Sequence, residues 1–244
     1  MPLFSKAITD FWQALLLGEN TLYKDNVFTV ATNTSLEQDN RVMVLETSNS
    51  RVMAVLAPEL AEKADLYHQE KMSESIFRQK LNEANITLHG ADYIFYFPET
   101  EKSQLLQENP DNMQRQLTEE KDGEVFSAFQ ASASEQDLDN AYVELDHWAV
   151  FGSFDEQNRL VSAASMYPWN DSQLADMGVL TLESFRSKGY ARKVVRAISQ
   201  YACAQGYEPQ FRCQLDNPAS AALAKAAGLT LFGKWEVISP DSVN

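Results

Sequence analysis

Apolar residues recur along this chain with two different periods. Between residues 3 and 17, Phe4, Ala7, Ile8, Phe11, Trp12, Leu15 and Leu16 fall three or four apart, the spacing of one helix face. Residues 26–31, 41–45 and 51–56 are instead rich in β-branched side chains and predict strands, with Asn49-Ser50 as the turn between the last two. Pro58 opens a helical stretch carrying Leu60, Ala64 and Tyr67. A second helix runs through Ile76, Phe77, Lys80 and Leu81, and Tyr93 to Phe97 predicts a strand stopped by Pro98. Residues 103–112 are polar and contain Pro110, the composition of a linker.

The rhythm changes after it. Gln114 to Leu117 predicts a short strand, and Thr118 is a good N-cap for a helix with Val125, Phe126 and Phe129 on its apolar side. Residues 137–146 predict a helix with Leu138, Ala141, Tyr142 and Leu145 inward. Strands follow at 148–154 and 160–167, around the polar turn Asp155-Glu156-Gln157-Asn158. Residues 175–182 are nearly all apolar, as in a central strand. A helix then carries Val194, Val195, Ile198, Tyr201 and Ala202 on one face and stops at Gly206. Phe211, Cys213 and Leu215 alternate inward on the next strand, Asn217-Pro218 starts a last helix, and after Gly228 the chain returns as strand. This order predicts an α/β protein in two domains, residues 1–111 and 112–244.

Composition narrows the function. At 244 residues, with 44% hydrophobic and 23% charged side chains, the chain is an ordinary globular one. Its net charge of −15 argues against general nucleic-acid binding, which needs a basic face, and against an anionic membrane surface. No metal is expected, because His68, His89 and His147 are scattered and Cys203 and Cys213 form no CxxC pair. The apolar run Ala14 to Leu17 is too short for a signal core, so a cytoplasmic protein is the expectation.

One turn stands apart. Arg186, Lys188, Arg192, Lys193 and Arg196 place five of the chain's 20 cations within eleven residues that hold no acid. They lie where a central strand turns into a helix N-terminus, whose free N–H groups and dipole attract phosphates. Gly189 keeps a Cβ out of a ligand's way. The bland alternative is a solvated helix face.

Here the chain resembles a family. Gly178-Val179-Leu180-Thr181 followed by Phe185-Arg186-Ser187-Lys188-Gly189-Tyr190-Ala191 looks like the acyl-CoA signature of the GNAT N-acetyltransferase superfamily, [RQ]-x-x-G-x-[GA]. Asn217-Pro218-Ala219-Ser220, with Leu223 and Gly228-Leu229, is similar to that family's second motif. Residues 114–122 resemble the opening strand and helix of the domain, so the resemblance spans residues 112–244. It implies a mixed, splayed sheet with helices on both sides, and acetyl-CoA as acyl donor. The pyrophosphate would rest on the backbone amides of residues 187–192, that is Ser187, Lys188, Gly189, Tyr190, Ala191 and Arg192, with Arg186 as a further cofactor-binding residue. The pantetheine would lie along Val179, Leu180 and Thr181, with Asn217 and Ser220 contacting it or its thiol end. A strand N–H near Leu180 or Thr181 would hold the oxyanion. Many members carry a tyrosine after the leucine of the second motif; here Leu223 is followed by Ala224.

The acceptor would be a small-molecule or peptide amine. Residues 97–146 hold thirteen acids against Lys102, Arg115 and Lys121, a field that draws cations. For acid–base work the resemblance points to a carboxylate near the start of the central strand, and Asp176 is the nearest; the alternative is an acid that merely ends a strand in solvent. Ser220 or water would stand in for the missing tyrosine. Asp146, His147, Tyr167, Trp169 and Asn170 are further candidates, each with a packing role as its alternative, and Cys213 reads as core. Two classes stay open: an N-acetyltransferase, and a non-catalytic acyl-CoA sensor that uses the same cleft.

Overall fold

The computed structural model describes residues 2–69, 71–109 and 112–242. In chain order the elements begin with α1 (Lys6–Leu16), β1 (Asn20–Lys24), β2 (Phe28–Thr32), β3 (Val42–Thr47) and β4 (Val52–Leu56). Then come α2 (Pro58–Lys63), α3 (Glu74–Glu83), β5 (Asp92–Tyr96) and α4 (Glu99–Leu105). The second half has β6 (Gln114–Gln116), α5 (Glu119–Gln130), α6 (Glu135–Ala141), β7 (Ala149–Phe154), β8 (Leu160–Pro168) and β9 (Leu174–Thr181). It closes with α7 (Tyr190–Ala204), β10 (Glu208–Gln214), α8 (Pro218–Ala226) and β11 (Thr230–Val237).

These elements form two compact units. One comprises the described residues of Met1–Ile8, Phe95–Arg212 and Pro218–Thr230; the other takes Thr9–Ile94, Cys213–Asn217 and Leu231–Asn244. In the second of these, strands run in the order β1-β2-β4-β3-β11. β2 and β4 are parallel, with β3 paired antiparallel to β4 and to β11. Its core joins Phe28, Val30, Val44, Ala54 and Leu56 of the strands to Leu60, Phe77 and Leu81 of α2 and α3. Ser73 caps α3 by accepting from the Ile76 N–H at 3.2 Å.

In the other unit the order is β10-β9-β8-β7-β6. The pairs from β6 to β9 are antiparallel and β9 with β10 is parallel. One sheet face packs Val150, Ala163 and Leu180 against Phe126 and Phe129 of α5. Across the sheet, α7 buries Val194, Val195, Ile198 and Ala202, as its 3.6-residue apolar period requires.

Several local expectations change. The strand Asn20–Lys24 escapes the sequence pattern because it is a largely exposed edge strand with no apolar alternation. The polar stretch read as a linker begins inside α4, and Pro110 and Asp111 lie outside the described residues. Thr118 takes the N-cap position of α5 without a side-chain cap; Asp122 accepts from the Thr118 N–H instead, at 2.9 Å. Val125 and Leu215 are 41% and 42% exposed rather than turned inward. The helix predicted over residues 137–146 ends at Ala141, where Tyr142 takes a left-handed backbone with φ 45°. The reason is Gly178. It leaves no side chain between β9 and the end of α6, and the carbonyls of Ala141 and Tyr142 fill that space.

Candidate active site

The turn after β9 has an unusual backbone. Ser187 and Gly189 both have positive φ, 60° and 85°, and Gly189 is the N-cap of the 15-residue α7. No atom lies within 4 Å of a Cβ built on Gly189, so glycine is required there by its backbone angle and not by space. The first helical bond runs from the Lys193 N–H to the Gly189 carbonyl. Among the described residues, the amides of Ser187 through Arg192 donate to no protein acceptor. Six successive unclaimed N–H groups at a helix start, with two positive φ angles among them, are the ingredients of an anion-binding nest.

The basic island around it is partly spent on other contacts. Arg186 donates to the Thr181 carbonyl at 3.2 Å and pairs with Asp137 at 2.7 Å. Arg196 pairs with Glu108 and donates to the Ala227 carbonyl. Lys188 reaches the Ser184 carbonyl at 2.8 Å and lies over the Phe185 ring. Arg192 is exposed and lines a cleft of about 410 Å³ with Gln114, Lys193 and Gln200.

β9 and β10 pair only from Leu174–Glu208 to Met177–Phe211. β9 continues to Thr181, and residues 178–181 pair with Ser165 to Ser162 of β8 on one edge only. The other edge of Gly178, Val179, Leu180 and Thr181 has no strand partner among the described residues, so an extended ligand can add there as a strand would. Ser162 fixes this segment, donating to the Leu180 carbonyl at 3.1 Å and meeting the Thr181 hydroxyl at 2.7 Å.

Asp176 lies on the same strand, two residues before that edge, and only 6% of it is exposed. It is not a solvated strand end. Arg212 clamps it through Nε at 3.0 Å and Nη2 at 2.6 Å. Gln210 donates to its Oδ1 at 2.9 Å, and the Tyr167 hydroxyl donates to Oδ2 at 3.2 Å. Tyr96 in turn donates to Gln210. The Arg212 guanidinium stands 5.3 Å from the Trp169 ring centre, a cation–π contact. Burial, and then the Asp176 charge, push the Tyr167 phenol up to about 12.

Beside Tyr167 the loop after α6 delivers His147. Its ring centre is 5.1 Å from that of Tyr167 and 5.0 Å from that of Tyr142, and Nδ1 meets the Ser165 hydroxyl at 2.8 Å. Burial holds the imidazole below its usual value, although Asp146 and Glu144 work the other way.

The sequence candidates thus fall in several places. Ser187 to Arg192 form the nest and Val179 to Thr181 the open edge, while Asp176, Tyr167, Trp169 and His147 gather on one sheet face. Ser220 is half-buried in the first turn of α8, and Asn217 stands in the exposed turn that belongs to the N-terminal unit. Asp146 and Asn170 are exposed, and Ala224 is fully buried. Sequence reading missed Gln210 and Arg212. Their signal was parity: both alternate with Phe211 and Cys213, two polar side chains on one face of a strand that is otherwise interior.

Among the described residues no group of His, Cys, Asp and Glu could hold a metal ion, and no helix is long and apolar enough to cross a membrane. No curated protein matches the chain. Solved structures to which the chain is similar include an acetyltransferase of the GNAT family from Colwellia psychrerythraea, 20% identical with a TM-score of 0.47, over 66% of this chain and 60% of that one. A putative GNAT acetyltransferase from Novosphingobium aromaticivorans is 15% identical with a TM-score of 0.44, over 63% and 65% of the two chains. A related N-acetyltransferase from Kribbella flavida is 16% identical with a TM-score of 0.45, over 67% and 63%. The chain therefore spans less than two thirds of the length of each of these neighbours. The model of the GNAT acetyltransferase family matches residues 104–229, more than half of the sequence. Nest, open strand edge and family match fall on the same stretch, and the chain belongs to the GNAT acetyltransferase family.

Proposed function

We propose that this protein transfers the acetyl group of acetyl-CoA to a primary amine. The observation that carries the reading is the run of six unclaimed amides from Ser187 to Arg192, placed at the end of a strand whose outer edge is open from Gly178 to Thr181. The amides, with Lys188 and Arg192, suit a pyrophosphate; the strand edge suits the two amides of a pantetheine arm. That arrangement sets the thioester beside β9, near the Leu180 or Thr181 N–H proposed to hold the oxyanion.

On this reading the amine nitrogen attacks the thioester carbon, the C–N bond forms, and the C–S bond breaks to release a thiolate. Most of the rate comes from holding the two reactants together. Tyr167 is a poor acid for that thiolate, because a phenol pushed up to about 12 yields its proton less readily than a thiol of ordinary pKa near about 8.5. The thiolate leaves unassisted or takes a proton from water or Ser220. Asp176 acts by position: its oxygens are taken up by Arg212, Gln210 and Tyr167. The acids Glu144 and Asp146 beside His147 favour a cationic acceptor. A cytoplasmic setting fits both the acetyl-CoA supply and the two free thiols, Cys203 and Cys213.

The second reading, a non-catalytic acyl-CoA sensor, draws on Ala224, which stands where many relatives carry a tyrosine. One experiment separates the two. Acetyl-CoA is offered with polyamines, amino acids, aminoglycosides and peptide amines, and thiol release is followed. Release with one class of amine is expected; CoA binding with no release across the panel favours the sensor.

A further inference from the structure

We propose that His147 is the general base that takes the proton from the attacking amine, held in one tautomer by Ser165. This rests on the acetyl-transfer reading above and names a residue that neither family motif contains.

The argument starts from the Ser165 hydroxyl, which faces the end of α6 and has three polar neighbours. The Glu144 N–H points at it from 3.4 Å, His147 Nδ1 stands at 2.8 Å, and the Tyr142 carbonyl stands at 3.5 Å. A hydroxyl donates once and accepts twice. Glu144 N–H can only donate and the Tyr142 carbonyl can only accept. Satisfying all three contacts leaves one assignment: Ser165 donates to the Tyr142 carbonyl, and Nδ1 of His147 carries the proton and donates to Ser165. The lone pair then sits on Nε2, which makes no hydrogen bond among the described residues. Fixing the tautomer through the other ring nitrogen is how a histidine base is prepared.

Position agrees with this role. Ser165 lies opposite Gly178 in the β8–β9 ladder, at the start of the open edge. The imidazole is half-buried between the Tyr142 and Tyr167 rings, with the carboxylates of Glu144 and Asp146 on its own loop and Asp176 of β9 behind the Tyr167 hydroxyl. A cationic amine drawn by those acids first gives one proton to bulk water, which leaves the neutral amine that attacks. Nε2 takes one N–H proton as the C–N bond forms; the C–S electron pair leaves with the thiolate, and the imidazolium later returns its proton to water. Asp176, its oxygens already engaged by three donors, is the less suitable acceptor.

The test uses full-length protein, wild type and His147→Gln, whose amide can keep the contact to Ser165. CoA is titrated into both by calorimetry. Acetyl-CoA turnover with the amine panel is measured from pH 5.5 to 9. Equal CoA affinity is expected, with kcat about 10²–10⁴-fold lower in the variant. The acid limb of the wild-type profile, with its midpoint below the ordinary imidazole value near about 6.5, should vanish. Wild-type kcat with the acid limb intact in His147→Gln overturns the base assignment and leaves acetyl transfer standing. CoA binding with no turnover in wild type overturns acetyl transfer and the base with it.

Discussion

Gly178 and Ala141 are in contact through the absence of a side chain: a Cβ built on Gly178 would stand 2.2 Å from the Ala141 carbonyl oxygen and 2.7 Å from that of Tyr142. The end of α6 docks on β9 because that position is empty. Docking places the left-handed Tyr142, and through it the Ser165–His147 contact. Gly178→Ala is therefore expected to push the loop after α6 off the sheet and to cost about 1–3 kcal/mol, the usual range for overpacking. Turnover should fall further than stability alone accounts for. Thermal unfolding and acetyl-CoA turnover measured side by side check this, and an unchanged Tm with full activity would contradict the docking argument.

Arg212 and Asp176 form a mostly buried pair, with side-chain exposures of 25% and 8%. Arg212→Met leaves the Asp176 charge with only Gln210 and Tyr167 as donors. Breaking a fully buried pair costs about 3–5 kcal/mol, and the partial exposure of Arg212 lowers that figure. Removing both charges together, as Asp176→Asn with Arg212→Met, should recover part of the loss. A double-mutant cycle by urea denaturation measures the coupling, and simple additivity would show that the clamp contributes nothing.

One source of acid sensitivity should lie at the start of α5. The Arg115 guanidinium, 2.6 Å away, and then the Thr118 N–H hold the Asp122 carboxyl below the usual carboxylate range, while burial opposes them. A depressed acid adds stability that is fully present above its unfolded value near about 4 and is lost as pH falls through its folded value. Asp122→Asn should be less stable than wild type at pH 7, with the gap closing below about pH 4. An equal difference at both pH values, read by urea unfolding, would contradict this assignment.

The two thiols should be inert in the folded protein. Burial pushes Cys203 up to about 12 and Cys213 up to about 11. Alkylation by iodoacetamide at pH 7.5 should be slow until denaturant is added, since the thiolate is the reacting form. Rapid modification of the native protein would show an opening that the packing does not contain.

Much of this was legible in the sequence, for physical reasons that can be named. Val194, Val195, Ile198 and Ala202 announce α7 by their period, and Gly206 and Gly228 announce the turns that follow helices, where both take positive φ. The nest was legible because strand, glycine and helix follow one another within a few residues. What stayed hidden is non-local. The break of the 137–146 helix depends on Gly178, far along the chain, and no residue between 137 and 146 signals it. The clamp on Asp176 needs the parallel register that sets Gln210 beside it. The basic island looked unopposed because Asp137 and Glu108, which engage Arg186 and Arg196, come from distant segments.

The central claim is that the amides of Ser187 to Arg192 bind the pyrophosphate of acetyl-CoA. Calorimetric titration of CoA into wild type and into Gly189→Glu tests it most directly. The variant sets a carboxylate and a strained backbone at φ 85° in the middle of the nest, where no other atom of the protein stands within 4 Å of the new Cβ. Binding to wild type and its loss in the variant, with both proteins folded by circular dichroism, is the predicted result. Unchanged CoA affinity in Gly189→Glu would contradict the account.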